Sequence, residues 1–204
     1  LPGGFSAGDE PDGSGKFMAA VLQNPKLMDE IKAFLDRDGL ILGVCNGFQA
    51  LVKSGLLPYG EIGNVHENSP TLTFNKIGRH ISQIVKTKIV TNNSPWLSSF
   101  EIGETFDIPV SHGEGRFYAS DGVLKQLFEN GQIATQYVDF DLEATNEFRF
   151  NPNGSSFAIE GIISPDGKIF GKMGHSERYS KDTFKNIDGN KNQNLILNGI
   201  KYFK

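Results

Sequence analysis

With 204 residues, 38% of them hydrophobic and 22% charged, the chain has the size and composition of one large domain with a real core. A net charge of -4 and the absence of a basic cluster exclude a nucleic-acid surface, which needs concentrated Lys and Arg. A single cysteine excludes an internal disulfide, and no apolar run approaches the ~18 residues of a membrane span, so the expected setting is the reducing cytoplasm, away from membranes.

The chain opens on Leu1-Pro2-Gly3-Gly4-Phe5, with neither an initiator Met nor the apolar stretch of a signal peptide. A glycine-rich loop with no strand before it reads as a chain entered partway, with part of a sheet missing. Residues 1–15 have the Gly, Ser, Pro and acidic composition of a ligand loop or a linker. A phosphate loop ending at Gly15-Lys16 would need Gly in place of Glu10 and Ser or Thr in place of Phe17. Asp9, Glu10 and Asp12 have no further ligand at metal-site spacing, so they read as a solvated acidic loop and no metal is expected.

Helical spacing of apolar residues marks Lys16 to Leu22, and Asn24-Pro25 supplies an N-cap with Pro at the first position of a second helix. Leu27, Ile31, Phe34 and Leu35 form its expected buried stripe, and Gly39 stands where a C-cap glycine belongs. Leu40 to Val44 is apolar on both faces, which suits a central parallel strand covered by helices.

There the strand meets Gly43-Val44-Cys45-Asn46-Gly47-Phe48-Gln49, and a helix follows to Ser54-Gly55. A side chain on a strand-to-helix turn stands over the amides of a helix N-terminus, so the Cys45 thiol is expected to ionise readily. Flanking glycines permit the tight turn that exposes a nucleophile. A free cysteine also serves as a small buried hydrophobe, and the local sequence leaves both readings open.

Short β-rich runs follow at Leu72 to Phe74, Ile84 to Val90 and Phe106 to Val110, with Asn92-Asn93-Ser94-Pro95 as a turn and Trp96 and Leu97 as core anchors. Ser111-His112-Gly113-Glu114-Gly115-Arg116-Phe117 breaks the β pattern with polar residues and glycines, as a ligand loop at a strand end does. Gly122 to Asn130 reads as a helix and Ile133 to Val138 as a strand. Phe157 to Ile163 and Lys168 to Met173, joined by Ser164-Pro165-Asp166-Gly167, read as a hairpin. Its second strand delivers Gly174-His175-Ser176-Glu177-Arg178. On an extended chain His175 and Glu177 share a side, about 7 Å apart at Cα, close enough for the acid to orient the imidazole. Leu195, Ile196, Ile200 and Phe203 suggest a closing amphipathic helix, and His66 and His80 read as surface or structural residues.

Pro2-Gly3-Gly4-Phe5-Ser6, the Cys45 turn, His112 to Phe117, Asn151-Pro152-Asn153-Gly154-Ser155 and His175 to Arg178 together, in order, resemble the class I glutamine amidotransferase domain of phosphoribosylformylglycinamidine synthase. The resemblance implies an α/β, flavodoxin-like three-layer sandwich with a mostly parallel central sheet. Residues 1–204 would be one amidotransferase domain truncated at its N-terminus, the C-terminal part of a larger synthase. Family domains carry further βα units before the Pro-Gly-Gly loop, each of ~30 residues or more.

The activity implied is hydrolysis of glutamine, with ammonia passed to ATP-dependent conversion of formylglycinamide ribonucleotide in purine synthesis. Cys45 would be the nucleophile, His175 the general base and acid, and Glu177 the residue that orients it. The amides of Gly4 and Asn46 would form the oxyanion hole, with Gln49, Ser111, Gly113 and Glu114 lining the glutamine pocket and Ser6 touching the substrate's α-amino acid end. No cofactor is implied in this chain. ATP and Mg are expected in a synthase region, fused or separate, and the Gly-His-Ser-Glu form of the motif looks more like the fused versions. Two departures stand out: many members have Pro in place of Ser176 and a second Cys in place of Phe48. Loss of the proline ring, which fixes φ, would loosen the His175 turn. A cysteine hydrolase with a nearby His and a non-catalytic assembly domain are the alternatives. The late position of the matching His and Glu disfavours the former.

Overall fold

The computed structural model of the chain describes residues 1–4 and 14–204. Ser6 and the acids Asp9, Glu10 and Asp12 lie outside the described residues.

Helix α1 (Lys16–Leu22) leads into α2 (Pro25–Asp36), where the Asn24 side chain accepts from the Lys26 amide at 3.1 Å and Pro25 opens the first turn. Leu27, Ile31 and Leu35 pack partly buried against the core, whereas Phe34 is exposed, so the expected stripe is narrower by one residue. The helix ends one residue earlier than the glycine suggests. Asp38 takes the left-handed conformation at φ 69°, and the Gly39 amide returns to Phe34 O at 2.9 Å. Gly39 serves a different end: a Cβ there would lie 2.4 Å from the Phe34 ring.

Strand β1 (Ile41–Val44) passes through Cys45 into α3 (Asn46–Ser54), which Gly55 closes at φ 90°, and a short α4 (Leu56–Tyr59) follows. Two strands, β2 (Thr71–Phe74) and β5 (Glu114–Tyr118), pair antiparallel as a small separate sheet. The main sheet takes β3 (Ile81–Ile89), β4 (Thr105–His112), β6 (Ile133–Tyr137), β7 (Ile159–Ile163) and β8 (Ile169–Lys172) in the order β1-β8-β7-β6-β3-β4. Helix α5 (Asp121–Glu129) precedes β6, and α6 (Leu195–Tyr202) closes the chain.

The α/β sandwich expected for the chain is present, but the described sheet is mixed rather than mostly parallel. Only β1 and β8 run parallel, and the other four pairings are antiparallel. The connections decide this: parallel pairing requires a long crossover, and the Ser164-to-Lys168 turn, for one, is short enough that β7 and β8 must reverse. In the described sheet β1 stands first in the strand order, with Leu1 against its other side through Leu1 N to Leu42 O at 2.7 Å and Val44 N to Leu1 O at 3.1 Å.

Side chains alternate into two cores. Ile169 packs with Phe48, Leu51, Leu124 and Leu127 of α3 and α5, and Phe170 packs with Trp96, Leu97, Phe106 and Leu195 on the opposite side. Trp96 and Leu97 are thus core anchors, and Trp96 Nε1 donates to Lys168 O at 3.0 Å. In α6 the buried residues are Leu195, Asn198 and Gly199. Ile196, Ile200 and Phe203 are exposed, contrary to the apolar pattern, because Gly199 lies against the Trp96 ring and fixes which side docks.

Candidate active site

Cys45 sits at the carboxyl end of β1 with φ 52° and ψ -108°, a backbone conformation that side chains seldom adopt. Its amide donates to Lys172 O at 2.8 Å, which ties the turn to β8. Glycine is required on both sides: a Cβ at Gly43 would lie 2.5 Å from Leu51, and one at Gly47 would lie 2.2 Å from Leu1 O. The thiol is buried and donates to Ser111 O at 3.8 Å.

The backbone amides of Asn46 and Gly4, from opposite ends of a stretch of more than forty residues, lie near enough to the sulfur to favour its thiolate. They do not make the thiol acidic, contrary to what the helix N-terminus suggests. Burial outweighs the two amides and the nearby Arg178 charge, and together with the Glu177 charge pushes Cys45 up to about 11.

His175 follows β8, with its amide donating to Pro109 O at 2.8 Å. The chain then enters a single tight turn, Ser176–Arg178, instead of staying extended, and this brings His175 Nδ1 to 2.6 Å from Glu177 Oε1. Arg178 Nη2 donates to His175 Nε2 at 3.3 Å. A guanidinium has no acceptor, so Nε2 carries the lone pair and Nδ1 donates its proton to Glu177. Burial pushes the Glu177 carboxyl upward, but the hydrogen bond from His175, its own backbone amide and the charges of His175 and Arg178 leave it below its usual value.

The thiol and the imidazole converge on Gly3. A Cβ there would stand 2.7 Å from His175 Cε1 and 3.2 Å from Cys45 Cβ. A thiol, an imidazole with its proton on the far nitrogen, a carboxylate behind it and two amides near the sulfur are the groups that covalent acyl transfer would need.

The whole chain, residues 1–204, matches the model of the CobB/CobQ-like glutamine amidotransferase domain. The chain belongs to that family. Among curated relatives, it is similar to phosphoribosylformylglycinamidine synthase subunit PurQ of Alkaliphilus metalliredigens, at 35% identity over 94% of this chain and 73% of the relative. The same subunit of Treponema denticola is 40% identical over 87% of this chain and 69% of the relative, and that of Salinibacter ruber 33% identical over 98% and 77%. The solved structure of PurLQS from Thermotoga maritima superposes with a TM-score of 0.71 at 30% identity, covering 100% of this chain and 78% of that one.

In this amidotransferase the residues expected to line the glutamine pocket gather around Gly113. Strand β4 continues through His112 and β5 begins at Glu114, so the expected loop is a sharp corner between two strands. Gln49 Nε2, from α3, donates to Glu114 O, and Glu114 Oε2 accepts from the Ser14 amide at 3.0 Å. Ser111 presents its carbonyl to the thiol and its hydroxyl to His80 Nε2 at 3.1 Å, and the space beside Gly113 is open. Asn153 Nδ2 braces the corner from behind, donating to Gly115 O at 2.8 Å and Tyr137 Oη at 2.9 Å. The Asn151 to Ser155 motif is therefore a fastening of the pocket strand.

Sequence reasoning missed four contributors. Asn75 clamps the corner, donating to His112 O at 2.8 Å and accepting from Gly115 N at 3.2 Å, yet nothing in its own neighbourhood marks it. It also takes His112 Nδ1–H at 3.2 Å, and burial, then the charges of His80 and His175, push His112 down to about 4, so this histidine is neutral. His80 stands at the rim, a link that runs through Ser111 and not through a sequence neighbour. Gly3 and Arg178 stood inside recognised motifs, but only their contacts show what they do.

Among the described residues no three His, Cys, Asp or Glu side chains are grouped to hold a metal ion, and no helix is long and apolar enough to cross a membrane.

Proposed function

We propose that this chain hydrolyses the side-chain amide of glutamine through a thioester on Cys45 and delivers the ammonia to a synthase region. That region converts formylglycinamide ribonucleotide to formylglycinamidine ribonucleotide in purine biosynthesis, in the cytoplasm. The observation that carries the reading is the meeting of Cys45 and His175 at Gly3, with Nε2 in the tautomer that accepts a proton.

A thiol held near 11 stays protonated at neutral pH, so attack depends on His175. Glutamine entering beside Gly113 displaces the thiol from Ser111 O, and Arg178 yields Nε2 to it. As the proton passes to Nε2, sulfur attacks the amide carbon, and the Asn46 and Gly4 amides receive the developing oxyanion. One such donor typically lowers the barrier by ~3 to 4 kcal/mol. Imidazolium, stabilised by Glu177, returns the proton to the leaving nitrogen as the C–N bond breaks and ammonia departs. Water deprotonated by His175 attacks the thioester, and glutamate leaves as Cys45 regains its proton.

Ammonia must reach its acceptor without becoming ammonium in bulk water, which supports a synthase partner held against this chain. The name PurLQS, carried by the Thermotoga maritima structure, supports such an assembly. ATP and Mg would be used by the synthase region.

The test is Cys45→Ala in the complete synthase. Glutamine-dependent synthesis should fall by at least about a thousandfold while synthesis from added ammonia persists. Glutamine-dependent turnover at the parent rate would sink the reading.

A further inference from the structure

Lys172 ends β8 three residues before His175 and is fully buried, yet the reaction above makes no use of its charge. Its Nζ donates to Ser176 Oγ at 2.8 Å and to Gln193 Oε1 at 2.5 Å, and Ser176 Oγ donates to the same oxygen at 2.6 Å. The three side chains form a closed triangle. On its other side Nζ lies 3.8 Å from Glu160 Oε1, an equally buried carboxylate. That oxygen accepts from the Gly174 amide at 2.6 Å, while Oε2 accepts from Thr135. The residues immediately before and after His175 are therefore tied to one buried ion pair. The Lys172 carbonyl meanwhile accepts from the Cys45 amide, so one residue touches both halves of the site.

Replacing a buried ion pair by apolar side chains of similar volume is often neutral or stabilising, because taking two charges out of water costs about as much as their attraction returns. The network's contribution is to geometry. Accepting the amidotransferase reading, we infer that Lys172, Glu160 and Gln193 are positioning residues that hold the Ser176–Arg178 turn so that His175 and Glu177 meet in register with Cys45. The Ser176 hydroxyl, tethered by Lys172 and Gln193, restrains the turn through side-chain hydrogen bonds where a proline would restrain it through φ. The departure expected to loosen the turn is compensated by side chains from β7, from β8 and from the segment before α6.

The cleanest probe is Gln193, whose side chain bonds Lys172 and Ser176 and has no hydrogen bond to Cys45, His175 or Glu177. In the complete synthase, Gln193→Ala should lower glutamine-dependent kcat about tenfold, with the glutamine KM within about twofold, since displacements well under 1 Å carry costs of that order. The acid limb of kcat/KM should move to lower pH, because a loosened Glu177 contact no longer favours imidazolium. Gln193→Glu keeps an acceptor for both Lys172 and Ser176 and should restore rate and limb. Adding Ser176→Pro to Gln193→Ala should also recover most of the rate, as proline is tolerated at the first position of such a turn.

Lys172→Met should cost more, about a hundredfold. If that variant does not fold, the Gln193 series still decides. A lowered melting temperature with parent kcat and an unmoved acid limb in Gln193→Ala overturns the inference, as does failure of both rescues. Cys45→Ala, run alongside, separates the two failures: if it is inactive with glutamine while every Gln193 variant behaves as the parent, only the positioning role falls.

Discussion

The two halves of the site are built in opposite ways. The Cys45 turn is local: strand, strained residue and helix are consecutive, and glycines at 43 and 47 admit Leu51 and Leu1. The His175 turn has little local support. It is a single short turn fastened by Glu160, Lys172 and Gln193, and its amide is anchored on Pro109. A nucleophile can be placed by backbone geometry alone, because its sulfur is one bond from Cβ. A base must hold ring orientation and tautomer together, which takes partners from elsewhere in the chain.

After Cys45→Ala itself, the largest effect should come from disconnecting the acid on the His175 side. Glu177→Gln removes the charge that stabilises imidazolium and offers a donor that can trap the wrong tautomer, so glutamine-dependent kcat should fall about 10³-fold. The drop should be smaller than for Cys45→Ala, since Glu177 is half exposed at 50% and water can partly replace it. Loss of less than about tenfold, in steady-state assays of the complete synthase, would mean His175 is positioned without its acid.

Next in size is a steric break on the Cys45 side. Gly47→Ala drives a methyl to 2.2 Å from Leu1 O, and Leu1 leads within three residues to Gly4, so the amide proposed as oxyanion donor must shift. Turnover should drop about 10²-fold, consistent with one lost donor, while the ammonia-dependent rate stays at the parent level. A parent-like rate would show that Gly4 is not needed where it stands.

The smallest effect sharpens the contrast without any mutation. With no glutamine present, alkylation of Cys45 should be slow at neutral pH and should keep rising through pH 9 toward about 11, because only the thiolate reacts and burial keeps the thiol protonated below that value. A rate that levels off by pH 8 would mean that the helix N-terminus dominates after all, as the turn taken alone suggests.

Much of the fold could be read directly. The Asn24-Pro25 cap, the strand-to-helix passage at Cys45 and the Ser164 to Gly167 hairpin follow from chemistry within a few residues, and all are present. Expectations failed where a distant surface chose the outcome. The apolar pattern of α6 does not say which face docks, because Trp96, about a hundred residues away, selects Gly199. Sheet direction depends on connections that a run of Val and Ile cannot reveal. The helix N-terminus that suggests an acidic thiol is visible in sequence, whereas the burial that pushes Cys45 up is summed over the whole fold.

By itself the sequence determined which chemistry is available: one thiol on a glycine-flanked turn, one His-x-Glu at a strand end, and a Pro-Gly-Gly loop with an amide to lend. Those are properties of residue type and short spacing, and covalent geometry imposes them wherever the segment goes. Tertiary structure alone decided that Gly3 would lie against both Cys45 and His175, that Arg178 would set the tautomer, and that Lys172 and Gln193 would hold the Ser176 hydroxyl. Those outcomes depend on buried hydrogen bonds among residues far apart in the chain, which exist only once the low-dielectric core has closed around them.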